Sequence, residues 1–292
     1  MLDTAHSVCI RFSGMTFRFR FPGPVTLAPA FADLACDDPG QVDEEFEIRL
    51  LTHPLRPAGT PLHYGTGIHI YPEKEGWLRI YPALIAEDGC QVACLLCPDG
   101  KNILYYPAAR WDFYAGFFNC FHLIGCETLL LRRSAFLLHS AVVMHSGRMV
   151  LFSGPAYAGK STQADLWVRH LGAQLINGDR CVVMERDGVF CGGGSPWAGT
   201  SGIFRPQQAP IAGIFLIHQA PENSVQRLGA AAFVPLLTQT LVNSWDPPFM
   251  QTVTDLLARL LEQVPVYRLN CRPDEEAARL AHHTLFPEEV LP

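Results

Sequence analysis

The sequence predicts a mixed protein of α+β/α/β class: a β-rich first part over residues 1–115, and a second part over 136–292 in which strands and helices alternate around a mixed sheet. Three observations predict it. Apolar residues recur with period two from residue 8 to about 107, the period lengthens to that of a helix over 117–135, and a strand, a glycine-rich turn and a helix then follow in that order.

In the first part, Val8-Cys-Ile10-Arg-Phe12 and Phe17-Arg-Phe19-Arg-Phe21 alternate around Ser13-Gly14, the pattern of a hairpin. Turn pairs at Glu75-Gly76, Asp88-Gly89 and Asp99-Gly100 separate the runs Trp77–Ile85, Cys90–Cys97 and Ile103–Tyr106, which predicts an antiparallel meander. Residues 22–43, rich in Pro, Ala and Asp, read as a surface excursion. Phe117, Phe121, Ile124 and Thr128 share one helical face, predicting a helix over 116–135 that bridges the parts. Next come strands Leu137–Met144 and Arg148–Ser153 around His145-Ser146-Gly147, a helix near Lys160–Leu171, a strand Ala173–Ile176 and a hairpin at Asp187-Gly188. A strand Ile211–His218, helices near Ala231–Val242 and Pro248–Val264, a strand Val266–Leu269 and a helix from Pro273 complete the order. Leu256, Leu257, Leu260 and Leu261 make the apolar face of the longest of these helices.

Composition narrows the function. With 292 residues, 49% of them hydrophobic and 17% charged, the chain has apolar material for two cores. A net charge of −6, from 22 Lys and Arg against 28 Asp and Glu, argues against wrapping nucleic acid. No apolar run reaches the ~20 residues of a membrane span, and Met1-Leu2-Asp3-Thr4-Ala5-His6 carries no basic leader, so the expectation is a cytoplasmic, untethered protein. The ten cysteines are then reduced thiols. Cys90, Cys94 and Cys97 cluster, but no second pair completes a four-ligand zinc set, and a buried strand carrying small apolar thiols accounts for the spacing. His63 and His69 read as ordinary strand residues.

One segment carries chemistry. Gly154-Pro155-Ala156-Tyr157-Ala158-Gly159-Lys160-Ser161 fits G-x-x-x-x-G-K-[ST] at every fixed position, between the apolar strand Met149–Phe152 and the helical run from Thr162. In such a loop consecutive N–H groups wrap a polyphosphate, Lys160 neutralises its outer charge, Ser161 offers a hydroxyl to Mg²⁺, and the helix start adds a positive dipole end. A right-handed crossover brings the end of Ala173–Ile176, and hence Asp179, to the same sheet edge. The turn at Ser146 sets His139 roughly opposite Ser153, also at that edge. A carboxylate there can hold Mg²⁺ or take the proton of an attacking hydroxyl. Asp179 also fits a capped turn in Asn177-Gly178-Asp179-Arg180, and His139 equally an ordinary strand histidine. Trp197 reads as a lid over the core or a stacking surface, and Arg205 as solvated or as a phosphate partner.

These residues resemble the HPr kinase/phosphorylase superfamily, whose phosphate-loop kinases share a core with phosphoenolpyruvate carboxykinase. The resemblance rests on Leu138-His139-Ser140-Ala141-Val142-Val143, the phosphate loop, Asn177-Gly178-Asp179-Arg180 and Gly194-Ser195-Pro196-Trp197-Ala198-Gly199, and spans about 136–286. It implies a P-loop α/β kinase domain in which Asp179 is catalytic base or metal partner and His139 the histidine of the strand before the loop, with Gly192–Gly202 lining the site. The pattern departs from the family's in two ways: its paired aspartates stand here as Gly178-Asp179, and the signature for handling HPr is not visible. A divergent relative is implied, with ATP and Mg²⁺ as cofactors and oligomeric assembly as in HPr kinases. The expected catalytic set is Asp179, His139 and Lys160, the nucleotide set Gly154–Thr162, and the metal set Ser161 and Asp179. The expected activity is transfer of the γ-phosphate to a hydroxyl, a peptide or protein serine. A nucleotide-binding adaptor or sensor whose chemistry has lapsed, suggested by Gly178, and a small-molecule kinase are the rival readings.

Overall fold

In a computed structural model the described residues are 6–74 and 76–289, and the chain divides into two compact units, Met1–Cys126 and Glu127–Pro292. Residues 1–5, and Glu75 of the expected Glu75-Gly76 turn, lie outside the described residues.

The first unit is an eight-stranded sheet built from β1 (Ser7–Phe12), β2 (Met15–Arg20), β3 (Glu44–Leu51), β4 (His63–Tyr64), β5 (His69–Glu73), β6 (Gly76–Ile85), β7 (Gln91–Leu96) and β8 (Lys101–Pro107). Its order is β1-β2-β3-β8-β7-β6-β5-β4. Ser13 and Gly14 both take positive φ, as a tight two-residue hairpin turn requires. β5 to β8 form the antiparallel meander. β3, however, runs parallel to both β2 and β8, so the sheet is mixed and not antiparallel throughout. The physical reason is the connection: residues 22–43 are long enough to carry the chain back and start β3 in the direction of β2. Most of that segment lies at the surface, as expected, but it also anchors into the core. It holds α1 (Pro29–Ala32), with Phe31 and Leu34 buried and the Phe31 ring 4.1 Å from that of Phe121. Arg18 and Arg20, on the other face of β2, pair with Glu45 of β3.

The single helix expected over 116–135 is replaced by two short ones, α2 (Trp111–Gly116) and α3 (Cys126–Leu131). Between them Phe118 pairs as extended chain with Leu27. Asn119 Oδ1 accepts the Phe121 N–H at 3.3 Å, and Gly125 sits at φ +60°. A side-chain turn and a left-handed glycine outcompete the helix that periodicity alone suggested. Cys90, Cys94 and Cys97 are buried free thiols.

The second unit contains β9 (Ala135–His145), β10 (Arg148–Ser153), α4 (Lys160–Leu171), β11 (Gln174–Asn177), β12 (Arg180–Arg186), β13 (Val189–Gly194), β14 (Gln208–Gln219), β15 (Ser224–Arg227), α5 (Phe233–Gln239), α6 (Pro247–Gln263), β16 (Val266–Cys271) and α7 (Glu275–Leu285). Its strands run β10-β9-β12-β13-β14-β16-β15, with β11 on β9 and β10 also parallel to β14. The long strand β9 serves three partners, β12 along Ala135–His139, β10 along Ser140–His145 and β11 along Val142–Met144. Alternate residues of β10 enter different cores: Met149 and Leu151 pack with Leu256, Leu257 and Leu260 of α6, while Val150 and Phe152 pack with Trp167 of α4 and Ala277 of α7. Burial on both faces is why this strand reads as a continuous apolar run. β10 and β11 run in the same direction, as the crossover argument requires, but β9 stands between them. Among the described residues no helix is long and apolar enough to cross a membrane.

Candidate functional site

The glycine loop leaves β10 at Ser153 and enters α4 at Lys160. Three of its residues take positive φ: Gly154 at 146°, Tyr157 at 63° and Gly159, the N-cap of α4, at 105°. A Cβ on Gly154 would come within 3.3 Å of Ala158 Cβ and 3.4 Å of the Ile217 carbonyl oxygen, so the motif glycine meets a conformational and a spatial demand together. Tyr157 points outward, and its carbonyl accepts Gln219 Nε2 at 2.9 Å from the end of β14. The buried Lys160 folds back along the loop, its Nζ donating to the Gly154 and Pro155 carbonyls at 3.0 and 2.9 Å. Burial lowers the Lys160 pKa from its ordinary value, and the neighbouring Asp179 opposes that shift. Ser161 and Thr162 are exposed on the first turn of α4. A cleft of about 630 Å³ opens beside the loop, lined by Ala158, Gly159, Thr162, Gln219, Cys271 and Arg272 among others.

Asp179 is set by the turn between β11 and β12. Asn177 is fully buried; its Oδ1 accepts the N–H groups of Asp179 and Arg180, each at 2.8 Å, and its Nδ2 donates to the Ser195 carbonyl at 2.7 Å. The capping residue of the turn is therefore Asn177, and Asp179 is left to face the loop edge. Asp179 Oδ1 is 3.5 Å from His139 Nε2 and its Oδ2 is 3.5 Å from Arg180 Nε. The His139 imidazole, with Arg180 and Lys160, holds the Asp179 carboxyl below the usual carboxylate range against the opposing effect of burial. His139 reaches this edge by strand pairing, though the residue across from Ser153 is Ser140, one position on; Ser153 Oγ instead donates to the His139 carbonyl at 2.8 Å.

The segment after β13 closes over Asp179. A Cβ on Gly199, at φ +58°, would lie 2.7 Å from Asp179 Cβ, and a Cβ on Gly178 would press on Ser201. Ser195 is buried and its hydroxyl donates to the Arg180 carbonyl at 2.8 Å, a clasp between the two turns. Trp197 is half-buried in this segment. Arg205 is exposed, with its Nε on the Leu175 carbonyl at 3.1 Å, and so is tied to β11. Cys181 faces the core beside Leu138 and Val183, where burial pushes its thiol up to about 12, and Cys191 is half-buried on β13.

Lys160, Asp179 and His139 are thus brought to one edge, with Ser161 beginning the helix next to Lys160. Sequence reasoning gave no role to Arg180 or Gln219. Arg180 was legible only as a neighbour of Asp179. Nothing in the sequence signals Gln219, which meets the loop through the pairing of β14 with β10.

The two units are mixed α/β structures with large mixed sheets and few helices. No family model matches the chain, and no curated protein does. Among solved structures it is similar to the HPr(Ser) kinase/phosphatase from Coxiella burnetii, at a TM-score of 0.30 and 14% identity over 52% of this chain and 88% of that one. At that level the likeness carries no argument about chemistry, which rests on the side chains themselves.

Proposed function

We propose that the chain is an ATP- and Mg²⁺-dependent kinase that transfers a γ-phosphoryl group to a hydroxyl, with a serine of a peptide or protein as the acceptor class. The observation that carries the reading is the meeting at one sheet edge of a glycine loop, with Lys160 folded back along it, and Asp179, whose Oδ1 is 3.5 Å from His139 Nε2.

In this reading the N–H groups of Gly154–Thr162 cradle the phosphates, and the Lys160 ammonium exchanges its two carbonyl acceptors for β- and γ-phosphate oxygens. The cleft lined by Thr162, Gln219 and Arg272 would take the nucleoside. The Ser161 hydroxyl and the Asp179 carboxylate are hard oxygen donors, the kind Mg²⁺ selects, and they would hold it. When bound, Mg²⁺ supplies charge neutralisation on the phosphate oxygens. The acceptor oxygen bonds to the γ-phosphorus, the bond to the β-bridging oxygen breaks, and ADP leaves. Asp179 either takes the acceptor's proton or supports the metal, and His139 orients the carboxylate through Oδ1. Expected partners are nucleotide and a hydroxyl substrate, neither nucleic acid nor membrane, with a homo-oligomer as the assembly.

Purified protein with Mg²⁺ and labelled ATP should bind nucleotide and label a serine peptide. Lys160→Ala should abolish binding, whereas Asp179→Asn should keep binding and lose transfer. Equal ATP affinity in Lys160→Ala removes the loop assignment. Wild-type protein that binds ATP yet labels neither peptides nor a metabolite panel supports the adaptor reading instead, and labelling of metabolites alone supports a small-molecule kinase. Gly178, the feature behind the adaptor reading, has a packing reason: a side chain there presses on Ser201.

A further inference from the structure

We propose that His145, His282 and Glu289 form a binding site for a divalent transition-metal ion, zinc first among them, at the sheet edge opposite the glycine loop. His145 ends β9, His282 lies on the inner face of α7, and Glu289 follows that helix. Their Nε2, Nε2 and Oε2 atoms form a closed triangle: His145 to Glu289 is 3.1 Å, His282 to His145 is 3.1 Å, and His282 to Glu289 is 3.4 Å. Ligands placed tetrahedrally at about 2.0–2.1 Å from zinc stand roughly 3.3 Å apart, the size of this triangle.

Hydrogen bonding alone satisfies the triangle poorly. An imidazole Nε2 has a single in-plane direction, used by either a proton or a lone pair, so it makes one good bond. Each of these two nitrogens nevertheless sits within bonding distance of two partners. One cation at the centre uses all three directions at once. The donor set is selective, since two imidazoles and a carboxylate suit zinc and its neighbours better than Mg²⁺ or Ca²⁺.

The surroundings support the ligands in a fixed pose. His282 is 1% exposed, its ring stacked on Phe286 with centroids 5.3 Å apart. His145 meets Trp167 edge-on at 5.7 Å. The Glu289 side chain is 37% exposed, which leaves the site open on one side for a water or further ligand. An apolar shell of this kind tunes and protects a first ring of ligands. His139 and His145 are six positions apart on β9, roughly 20 Å at strand spacing, so the ion would not take part in phosphoryl transfer. Its effect would be to fasten the chain end after α7 to the β9–β10 turn.

The test uses the full chain stripped with a chelator and titrated with Zn²⁺ alone, then with Co²⁺. The expected result is one ion per chain, a raised melting temperature, and a cobalt spectrum of nitrogen and oxygen ligation without thiolate charge-transfer bands. Glu289→Gln and His145→Gln should each weaken zinc binding at least about tenfold while the far-UV circular dichroism stays unchanged. His282 is left intact because its burial makes it a folding residue. Absence of saturable binding overturns the proposal. So does binding that neither substitution weakens, and so do thiolate bands, which would assign the metal to the cysteines. None of these readouts depends on nucleotide or on transfer.

Discussion

Asp179 and His139 face each other across the pairing of β12 with β9, Oδ1 to Nε2 at 3.5 Å, and this contact is the largest cause of the lowered Asp179 proton affinity. A carboxyl whose folded-state pKa lies below its unfolded value adds stability that is complete above the unfolded value and is lost as pH falls through the folded one. Replacing His139 by Ala removes the main lowering contact and leaves burial to raise the pKa against Arg180 and Lys160. The Asp179 carboxyl should then titrate at higher pH, and acid unfolding should begin earlier. Carbon NMR of the side-chain carboxyls across an acid titration reads the shift directly. An unmoved Asp179 resonance in His139→Ala would dissolve the coupling.

Gly199 should be intolerant for two separable reasons. Its φ of +58° is left-handed, and a Cβ there would lie 2.7 Å from Asp179 Cβ. Gly199→Ala should cost about 1–2 kcal/mol from the backbone alone, measured by urea midpoint. Because the same Cβ displaces Asp179, transfer should fall further than stability predicts, while ATP affinity holds. Unchanged turnover in a destabilised variant would separate the turn from the chemistry.

How far the sequence speaks depends on the range of the forces involved. The Ser13-Gly14 hairpin, the glycine loop and the start of α4 are local, fixed by residue type at fixed spacing, and they stand where the sequence placed them. His139 and Asp179 needed only strand direction and a crossover rule, which are nearly local, so their meeting was also legible. The parallel pairing of β3 and the breaking of the helix over 116–135 were not. The first depends on a long connection; the second combines local breakers, the Asn119 turn and Gly125, that periodicity outweighed with the pairing of Phe118 to Leu27 across a gap in sequence. The His145, His282 and Glu289 cluster was hidden for the same reason: its members come together only when α7 packs against α4 and the end of β9.

Thiol exposure gives a check on both cores. All ten cysteines are free; Cys9, Cys36 and Cys191 are partly exposed and the other seven are buried. Burial raises Cys36, Cys90, Cys120, Cys181, Cys191 and Cys271 above the ordinary thiol range, so little thiolate forms at neutral pH. Ellman's reagent on native protein should titrate at most the three partly exposed thiols and reach all ten only in denaturant. Rapid reaction of more than three in the native state would mean that a core is looser than the packing described.

Asn177 is the residue on which the site's geometry turns, and its replacement should be costly in a specific way. It is fully buried and satisfies three backbone groups, the Asp179 and Arg180 N–H through Oδ1 and the Ser195 carbonyl through Nδ2. Asn177→Ala strands all three. Leaving a buried polar group unpaired costs about 1–3 kcal/mol, and because the turn can partly relax toward water the sum should be about 2–4 kcal/mol by urea unfolding. Asn177→Asp keeps the acceptor for both N–H groups, but sets a buried carboxylate against the Ser195 carbonyl and beside Asp179. At neutral pH it should be at least as damaging as Ala, and it should recover stability as acid protonates the new carboxyl and restores a donor. Ala shows no such recovery in this reading, so the difference between the two urea midpoints should narrow or reverse from pH 7 to pH 5. A parallel pH dependence in the two variants would mean that the Ser195 contact contributes nothing and that Asn177 acts through its oxygen alone.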